Sequence, residues 1–158
     1  MNSPVLTTIC RWLEEREVPY RLVQHAETRT SEESAKARGE PLEVGGKAIL
    51  MKTDDAYRLF VLSAHLKVES AKIKRQLGVK NTRFATAEEL LNLTGLIPGS
   101  VPPFGRPILP FELYVDESVL ANERIAFNAG SLTDSIIMST EDYQLVADAT
   151  LCDFSKSE

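Results

Sequence analysis

Gly95-Leu-Ile-Pro-Gly-Ser-Val-Pro-Pro-Phe-Gly105 packs three glycines and three prolines into eleven residues. Such a stretch cannot continue a helix or fill a central strand, because proline has no amide hydrogen and clashes with the preceding turn. Glycine permits close backbone approach and positive φ, while proline stiffens the chain. The segment therefore reads as a rigid loop. Such a loop either holds backbone N–H groups around a ligand carbonyl or phosphate, or covers a sheet end as a structural turn. Neither GxGxxG nor GxxxxGK[ST] occurs anywhere, which weighs against nucleotidase or kinase chemistry.

Working outward from that loop, the local signals alternate between helix caps and strands. Upstream, Thr86 with Glu89 forms a capping box that opens a helix ending near Gly95, and Glu69 to Leu77 reads as a helix stopped by Gly78. Lys47–Thr53 and Tyr57–Ser63, joined at Asp54-Asp55, read as a hairpin, and their nearly continuous apolar character places them centrally in a sheet. Thr30 and Glu33 make a second capping box, for a short helix through Arg38 that stops at Gly39. Tyr20–Gln24 reads as a strand. Ser3-Pro4 starts an amphipathic helix carrying Leu6, Ile9, Cys10 and Leu13, which Pro19 ends. Downstream, Phe111–Val115, Arg124–Asn128 and Ile136–Met138 read as strands, with a helical turn near Ser118. Thr140 is expected to cap a last helix to Ala147, and the polar tail Cys152–Glu158 to fray. This order lacks regular βαβ alternation, so the class is α+β.

At 158 residues, the chain suits one domain with one sizeable core. No stretch approaches the roughly 20 apolar residues that span a bilayer. The N-terminus has no signal layout, since Arg11, Glu14, Glu15 and Arg16 interrupt it. Cys10 and Cys152 form no CxxC or Cys/His cluster, so neither a zinc site nor a disulfide framework is indicated. The expectation is a cytoplasmic protein with reduced thiols and no membrane association. A net charge of −5 sits awkwardly with a nucleic-acid partner, but its distribution matters more than its sum. From Lys67 to Arg83 stand Lys67, Lys72, Lys74, Arg75, Lys80 and Arg83 against one acid, Glu69. That window carries about +5 against about −10 for the rest. It reads either as a solvated face or as a docking patch for an RNA backbone.

Four blocks in order carry a family resemblance. Gly95-Leu-Ile-Pro-Gly99 followed by Val101-Pro-Pro-Phe-Gly105 resembles the GxxPGxVPPFG loop of the YbaK/ProX family of editing deacylases. His25–Ala35, with its Thr-Ser-Glu-Glu segment, is similar to that family's early block. Gly45-Gly-Lys-Ala-Ile-Leu-Met-Lys52 resembles the strand that begins with its functional lysine. Phe127-Asn-Ala-Gly-Ser131 resembles its late glycine turn. The match spans about residue 20 to residue 147 of a single domain read over 1–158. The resemblance implies a mixed, mostly antiparallel sheet closed into a distorted barrel with flanking helices. It also implies hydrolysis of the ester joining a wrong amino acid to the terminal ribose of tRNA, with neither metal nor organic cofactor. The family also occurs as an editing insertion in bacterial prolyl-tRNA synthetases. This sequence carries no synthetase motifs, so action in trans is expected, with aminoacyl-tRNA as partner and a synthetase as a further candidate partner.

On this resemblance Lys47 becomes the expected catalytic residue, a fixed cation binding phosphate or carbonyl oxygen or stabilising developing charge. Snorkelling from a strand end is the alternative. Lys52, five residues on, would face oppositely in a regular strand and serves as its control. The expected substrate-binding residues are Thr30 and Ser31 at a helix N-terminus, Gly99 and Ser100 as backbone donors, and Asn128, Gly130 and Ser131 on the opposite wall. Lys67, Lys72, Lys74, Arg75 and Lys80 are candidate tRNA contacts. His25 reads as a structural histidine before a base, and no GxSxG elbow or triad setting is present. The chemistry expected is therefore positioning plus electrostatics without a covalent intermediate. Small residues around Ala129 point to a small amino acid. The rival readings are a non-catalytic tRNA- or synthetase-binding module and a small-molecule esterase or amidase.

Overall fold

In the computed structural model, which describes residues 3–157, the side chain of Ser3 caps helix α1 (Pro4–Glu15) by accepting from the amides of Val5 and Leu6. Leu6, Ile9, Trp12 and Leu13 recur on one face and are buried. Strand β1 (Arg21–Gln24) follows, then α2 (Ser31–Arg38), with the Thr30–Glu33 capping box formed and Gly39 closing it in the left-handed region. The hairpin is formed as expected by β2 (Gly46–Thr53) and β3 (Ala56–Ser63). Beyond it lie β4 (Leu66–Val68), α3 (Ser70–Leu77), β5 (Thr82–Phe84) and α4 (Ala87–Thr94), the last with the Thr86–Glu89 box. After the glycine-proline loop come β6 (Leu113–Asp116), a 3-10 turn over Glu117–Ala121, β7 (Arg124–Asn128) and β8 (Asp134–Ser139). Helix α5 (Thr140–Ala147), β9 (Thr150–Cys152) and β10 (Ser155–Ser157) complete the described chain.

The principal sheet has the order β5-β2-β3-β6-β9, with β1-β8-β7 and β10-β4 as two smaller sheets. Pairing is antiparallel except at β3–β6 and β6–β9. The central place of β2 and β3 agrees with their apolar runs, and the α+β class is retained.

The expected closure into a distorted barrel is not found among the described residues, where each sheet is open. A barrel needs a continuous staggered ladder around its circumference. Here the β7 edge meets the lead-in to β2 through one parallel bridge, Gly45 with Ala126. Leu42–Val44 winds into a 3-10 turn just before that bridge, so no strand is available to extend it. The far edges, β5 and β9, are three residues long and stay apart.

Two local expectations also change. Ser139, not Thr140, caps α5, its hydroxyl accepting from the Asp142 amide at 3.1 Å, and Thr140 is the first helical residue. The tail is ordered through Ser157, because β10 pairs with β4 and the Phe154 ring is buried against Phe60. Burying a phenylalanine contributes about 1.5–3 kcal/mol, enough to hold a short terminal strand. Glu158 lies outside the described residues.

Candidate active site

A cavity of about 120 Å³ lies between α2, the start of β2 and the glycine-proline loop. The small residues Gly45, Gly46, Ala48, Ala64 and Ala126 line much of it. Gly46 is required there by packing, since a Cβ would come within 2.6 Å of Ile125.

Helix α2 lends the cavity one face. Ser31, Ser34, Ala35 and Arg38, spaced i, i+3, i+4 and i+7, all line it, together with Thr28 and Thr30 just before the helix. The Thr30 hydroxyl accepts from the Glu33 amide at 3.1 Å, so its oxygen serves the cap. Thr30 and Ser31, at the N-terminus of the helix, line the cavity beside it. The buried hydroxyls of Thr28 and Ser34 bond each other at 2.8 Å. Sequence reasoning passed over Arg38, which looks like an ordinary cation in a last helical turn. It is 8% exposed, its Nε donates to the Ser34 carbonyl at 3.0 Å, and Nη1 is buried without a protein acceptor. Burial lowers its pKa to about 10, opposed by the nearby Glu40 carboxylate, so it stays cationic at neutral pH. Glu40 also lines the cavity; its carboxylate accepts from Arg124 Nε at 2.8 Å and pairs with Arg21 at 3.6 Å. That pairing holds the Arg124 guanidinium above its ordinary pKa.

The opposite side is set by the loop. Phe104 is buried edge-on to Trp12 and Phe127 with centroids 5.3 and 5.4 Å away, and Tyr143 donates to the Pro103 carbonyl at 2.6 Å. Gly99 adopts φ +90°, a conformation that a side chain would strain, and it lines the cavity. Asn128 on β7 lines it too and donates from Nδ2 to the Gly99 carbonyl at 2.7 Å. Behind it, Ser135 donates to Asn128 Oδ1 at 3.2 Å, and His25 Nε2 lies 2.8 Å from the Ser135 hydroxyl. His25 is thus a buttress of Asn128, and its other ring nitrogen lies 2.8 Å from the Ala26 carbonyl.

Lys47 lines the cavity from the start of β2, half-buried and opposite Leu62 in register. Strand parity puts it with Ile49 and Met51, which pack into the second core cluster. Lys52 shares parity with Ala48 and Leu50 of the main cluster, about 16 Å further along the strand. Its ammonium lies 5.7 Å from the centre of the Tyr57 ring, away from the cavity.

Of the residues expected to bind substrate, Thr30, Ser31, Gly99 and Asn128 gather with Lys47, whereas Ser100, Gly130 and Ser131 lie outside the cavity lining. Ser100 is 2% exposed; its hydroxyl donates to the Ile97 carbonyl at 2.8 Å and its amide to the same carbonyl at 3.1 Å. Gly130, at φ +78°, packs where a Cβ would fall 2.9 Å from Val5, and donates to the Ser100 carbonyl at 2.8 Å. Ser131 donates to Asp134 at 2.8 Å within its own turn.

The basic segment divides as well. Lys67, Lys74, Arg75 and Lys80 are exposed. Lys72 donates to Asp153 at 3.1 Å and to the Ser155 carbonyl at 2.8 Å, and Arg83 makes a bidentate pair with Glu89 at 2.7 and 2.8 Å. Among the described residues no helix is long and apolar enough to cross a membrane, and no group of three or more His, Cys, Asp or Glu side chains could hold a metal.

The fold is an open-sheeted α+β domain, and its likeness to solved structures defines the class. The crystal structure of a candidate trans-editing enzyme for prolyl tRNA synthetase matches at TM-score 0.83 and 26% identity, over 99% of this chain and 100% of that one. The hypothetical protein APE2540 has the same fold at TM-score 0.84 and 24% identity, over 94% of this chain and 99% of that one. The chain belongs to the aminoacyl-tRNA editing domain family, whose profile matches residues 25–145. It is 30% identical over 144 residues to the multifunctional Ser/Thr-tRNA deacylase ProXp-y of Escherichia coli K12, covering 87% of this chain and 85% of that protein. It is also 34% identical over 103 residues to the proline–tRNA ligase of Shouchella clausii, covering 65% of this chain but 18% of that protein. The chain is accordingly an editing deacylase, a hydrolase of mischarged aminoacyl-tRNA.

Proposed function

We propose that the chain, acting as one domain over residues 1–158, removes serine or threonine from mischarged tRNA in trans, with Lys47 as the residue that meets the acyl ester. The observation that carries this reading is the convergence of Lys47, the Gly99 turn and the N-terminus of α2 on one cavity of about 120 Å³. That volume suits a small side chain, and the Thr28–Ser34 hydroxyl pair gives the lining a polar side. The 30% identity to a Ser/Thr-tRNA deacylase points the same way.

In this reading Lys47 draws the ester carbonyl or an adjacent phosphate oxygen into place and opposes the negative charge that builds on the carbonyl oxygen. The Asn128–Gly99 bond fixes the loop against which the aminoacyl group rests. A water held beside the neighbouring ribose hydroxyl adds to the carbonyl carbon. The carbon–oxygen bond to the ribose then breaks, and the ribose oxygen takes up a proton. The products are the free amino acid and an intact tRNA end. An aminoacyl ester is already activated, so orientation and electrostatics suffice without an acyl-enzyme. Ser100, with its hydroxyl committed to Ile97, is poorly placed as a nucleophile. Exposed Lys67, Lys74, Arg75 and Lys80 supply a surface for the tRNA backbone. The cytoplasm is the compartment where such a substrate is found.

Incubation with tRNAs charged with proline, alanine, cysteine, serine or threonine tests the function. Loss of the seryl or threonyl ester is the expected result. Binding without cleavage of any ester would establish the non-catalytic module instead.

A further inference from the structure

Resting on that reading, we infer that Arg38, together with the Thr28–Ser34 hydroxyl pair, is the device that selects a hydroxyl-bearing aminoacyl group over its counterpart without the hydroxyl. Arg38 stands at the end of α2, and helical side chains lean back over the preceding turn. Its Nε is clasped by the Ser34 carbonyl at 3.0 Å, which lays the guanidinium alongside Ser34, itself part of the cavity lining. The Nε–H is engaged by the Ser34 carbonyl and Nη1 is sealed off without an acceptor, which leaves Nη2 as the donor that a ligand in the cavity can reach. Glu40, the neighbouring carboxylate, is bound instead by Arg124 at 2.7 Å and Arg21 at 3.6 Å. A cation 8% exposed with unmet donors demands an acceptor oxygen.

Guanidinium donates and cannot accept, so a ligand hydroxyl that takes a hydrogen bond from Arg38 must place its own hydrogen elsewhere. Thr28 and Ser34, bonded at 2.8 Å on the same wall, offer the oxygen lone pairs for it. A serine or threonine side chain therefore satisfies both groups at once, whereas alanine leaves Arg38 wanting. Sites built to hydrogen-bond a substrate hydroxyl reject the analogue that lacks it far more strongly than apolar pockets sort by size. A phosphate fits this place poorly. The exposed Arg29, on the same cavity with a side chain 64% exposed, is the better phosphate ligand than a buried arginine.

The test compares seryl-tRNA with alanyl-tRNA as substrates, and the corresponding hydrolysis-resistant 3′-aminoacylamido-adenosines as ligands, for the wild type, Arg38→Met and Ser34→Ala. The wild type should prefer the seryl forms by at least about tenfold in both kcat/KM and binding. Arg38→Met, which keeps the apolar stem, should bring that ratio close to one by weakening the seryl forms while the alanyl forms change by less than about twofold. Ser34→Ala should move it the same way, and carries the test if Arg38→Met does not fold. Equal loss for both aminoacyl groups, or no loss for either, overturns the inference and marks Arg38 as a packing residue. If the wild type cleaves no ester, the deacylase reading fails by itself. Selective binding of the seryl ligand that depends on Arg38 would still support this site, and its absence would remove it.

Discussion

The Asn128 side chain donates to the Gly99 carbonyl at 2.7 Å, joining the end of β7 to the turn of the glycine-proline loop at the cavity wall. Asn128 is in turn held by Ser135, and Ser135 by His25, so the turn is positioned from a strand rather than left to a loop. Asn128→Ala should lower kcat for deacylation about tenfold, by loosening the geometry that positions the ester, and cost about 1 kcal/mol of stability. Asn128→Asp should be worse, since a carboxylate faces a carbonyl oxygen there. Single-turnover deacylation and chemical denaturation measure the two effects separately.

Tyr143 fixes the same loop from beneath. Its hydroxyl is fully buried against the Pro103 carbonyl, and burial raises its pKa. Tyr143→Phe leaves that buried carbonyl without its donor and should destabilise the protein by about 1–3 kcal/mol. The shift in denaturation midpoint, at unchanged slope, reads this out.

How much of this was legible in the sequence follows from the range of the forces involved. Both capping boxes, the glycine stops after Arg38, Leu77 and Thr94, and the β2–β3 hairpin are local devices, and each is found where the residues place it. Strands β4, β5, β9 and β10 are three residues each and owe their existence to distant partners. β10, for example, is anchored by Asp116, which accepts from the Phe154 amide at 2.7 Å and the Ser155 hydroxyl at 2.8 Å. No periodicity in the tail announces that. Barrel closure came with the family resemblance, and it depended on a ladder that the 3-10 turn at Leu42–Val44 interrupts. At the site, the glycine-proline loop stood out by composition, and Lys47 through the family resemblance. Arg38 did not, although the spacing of Ser31, Ser34, Ala35 and Arg38 along α2 was the available sign.

The basic segment should act in two parts. Lys74→Ala with Arg75→Ala should raise KM for aminoacyl-tRNA several-fold and reduce the slope of log affinity against log salt by about 2, leaving melting unchanged. Lys72→Ala should instead lower the melting temperature, because Lys72 ties α3 to Asp153 and Ser155. Titrations of binding at several salt concentrations, beside thermal melts, distinguish these outcomes.

Acid should weaken the β5–α4 corner. The Arg83 guanidinium, with the Thr86 amide and the Tyr57 hydroxyl, holds the Glu89 carboxyl well below its ordinary value of 4.5. A depressed carboxylate contributes stability that is fully present above its unfolded pKa and is lost as pH falls through that value toward the folded one. Wild-type melting temperature should therefore drop as pH falls below about 4.5, and Glu89→Gln should show a shallower drop from a lower start. A melting series from neutral to acid pH checks the sign.

The central claim is that Lys47 serves hydrolysis at this cavity, and the paired variants Lys47→Ala and Lys52→Ala test it most directly. The two lysines share strand β2 but differ in face and in distance from the cavity. Single-turnover deacylation of seryl- or threonyl-tRNA should fall about 10²- to 10³-fold in Lys47→Ala and less than about twofold in Lys52→Ala. Equal rates in the two variants, or full activity without Lys47, would contradict the account.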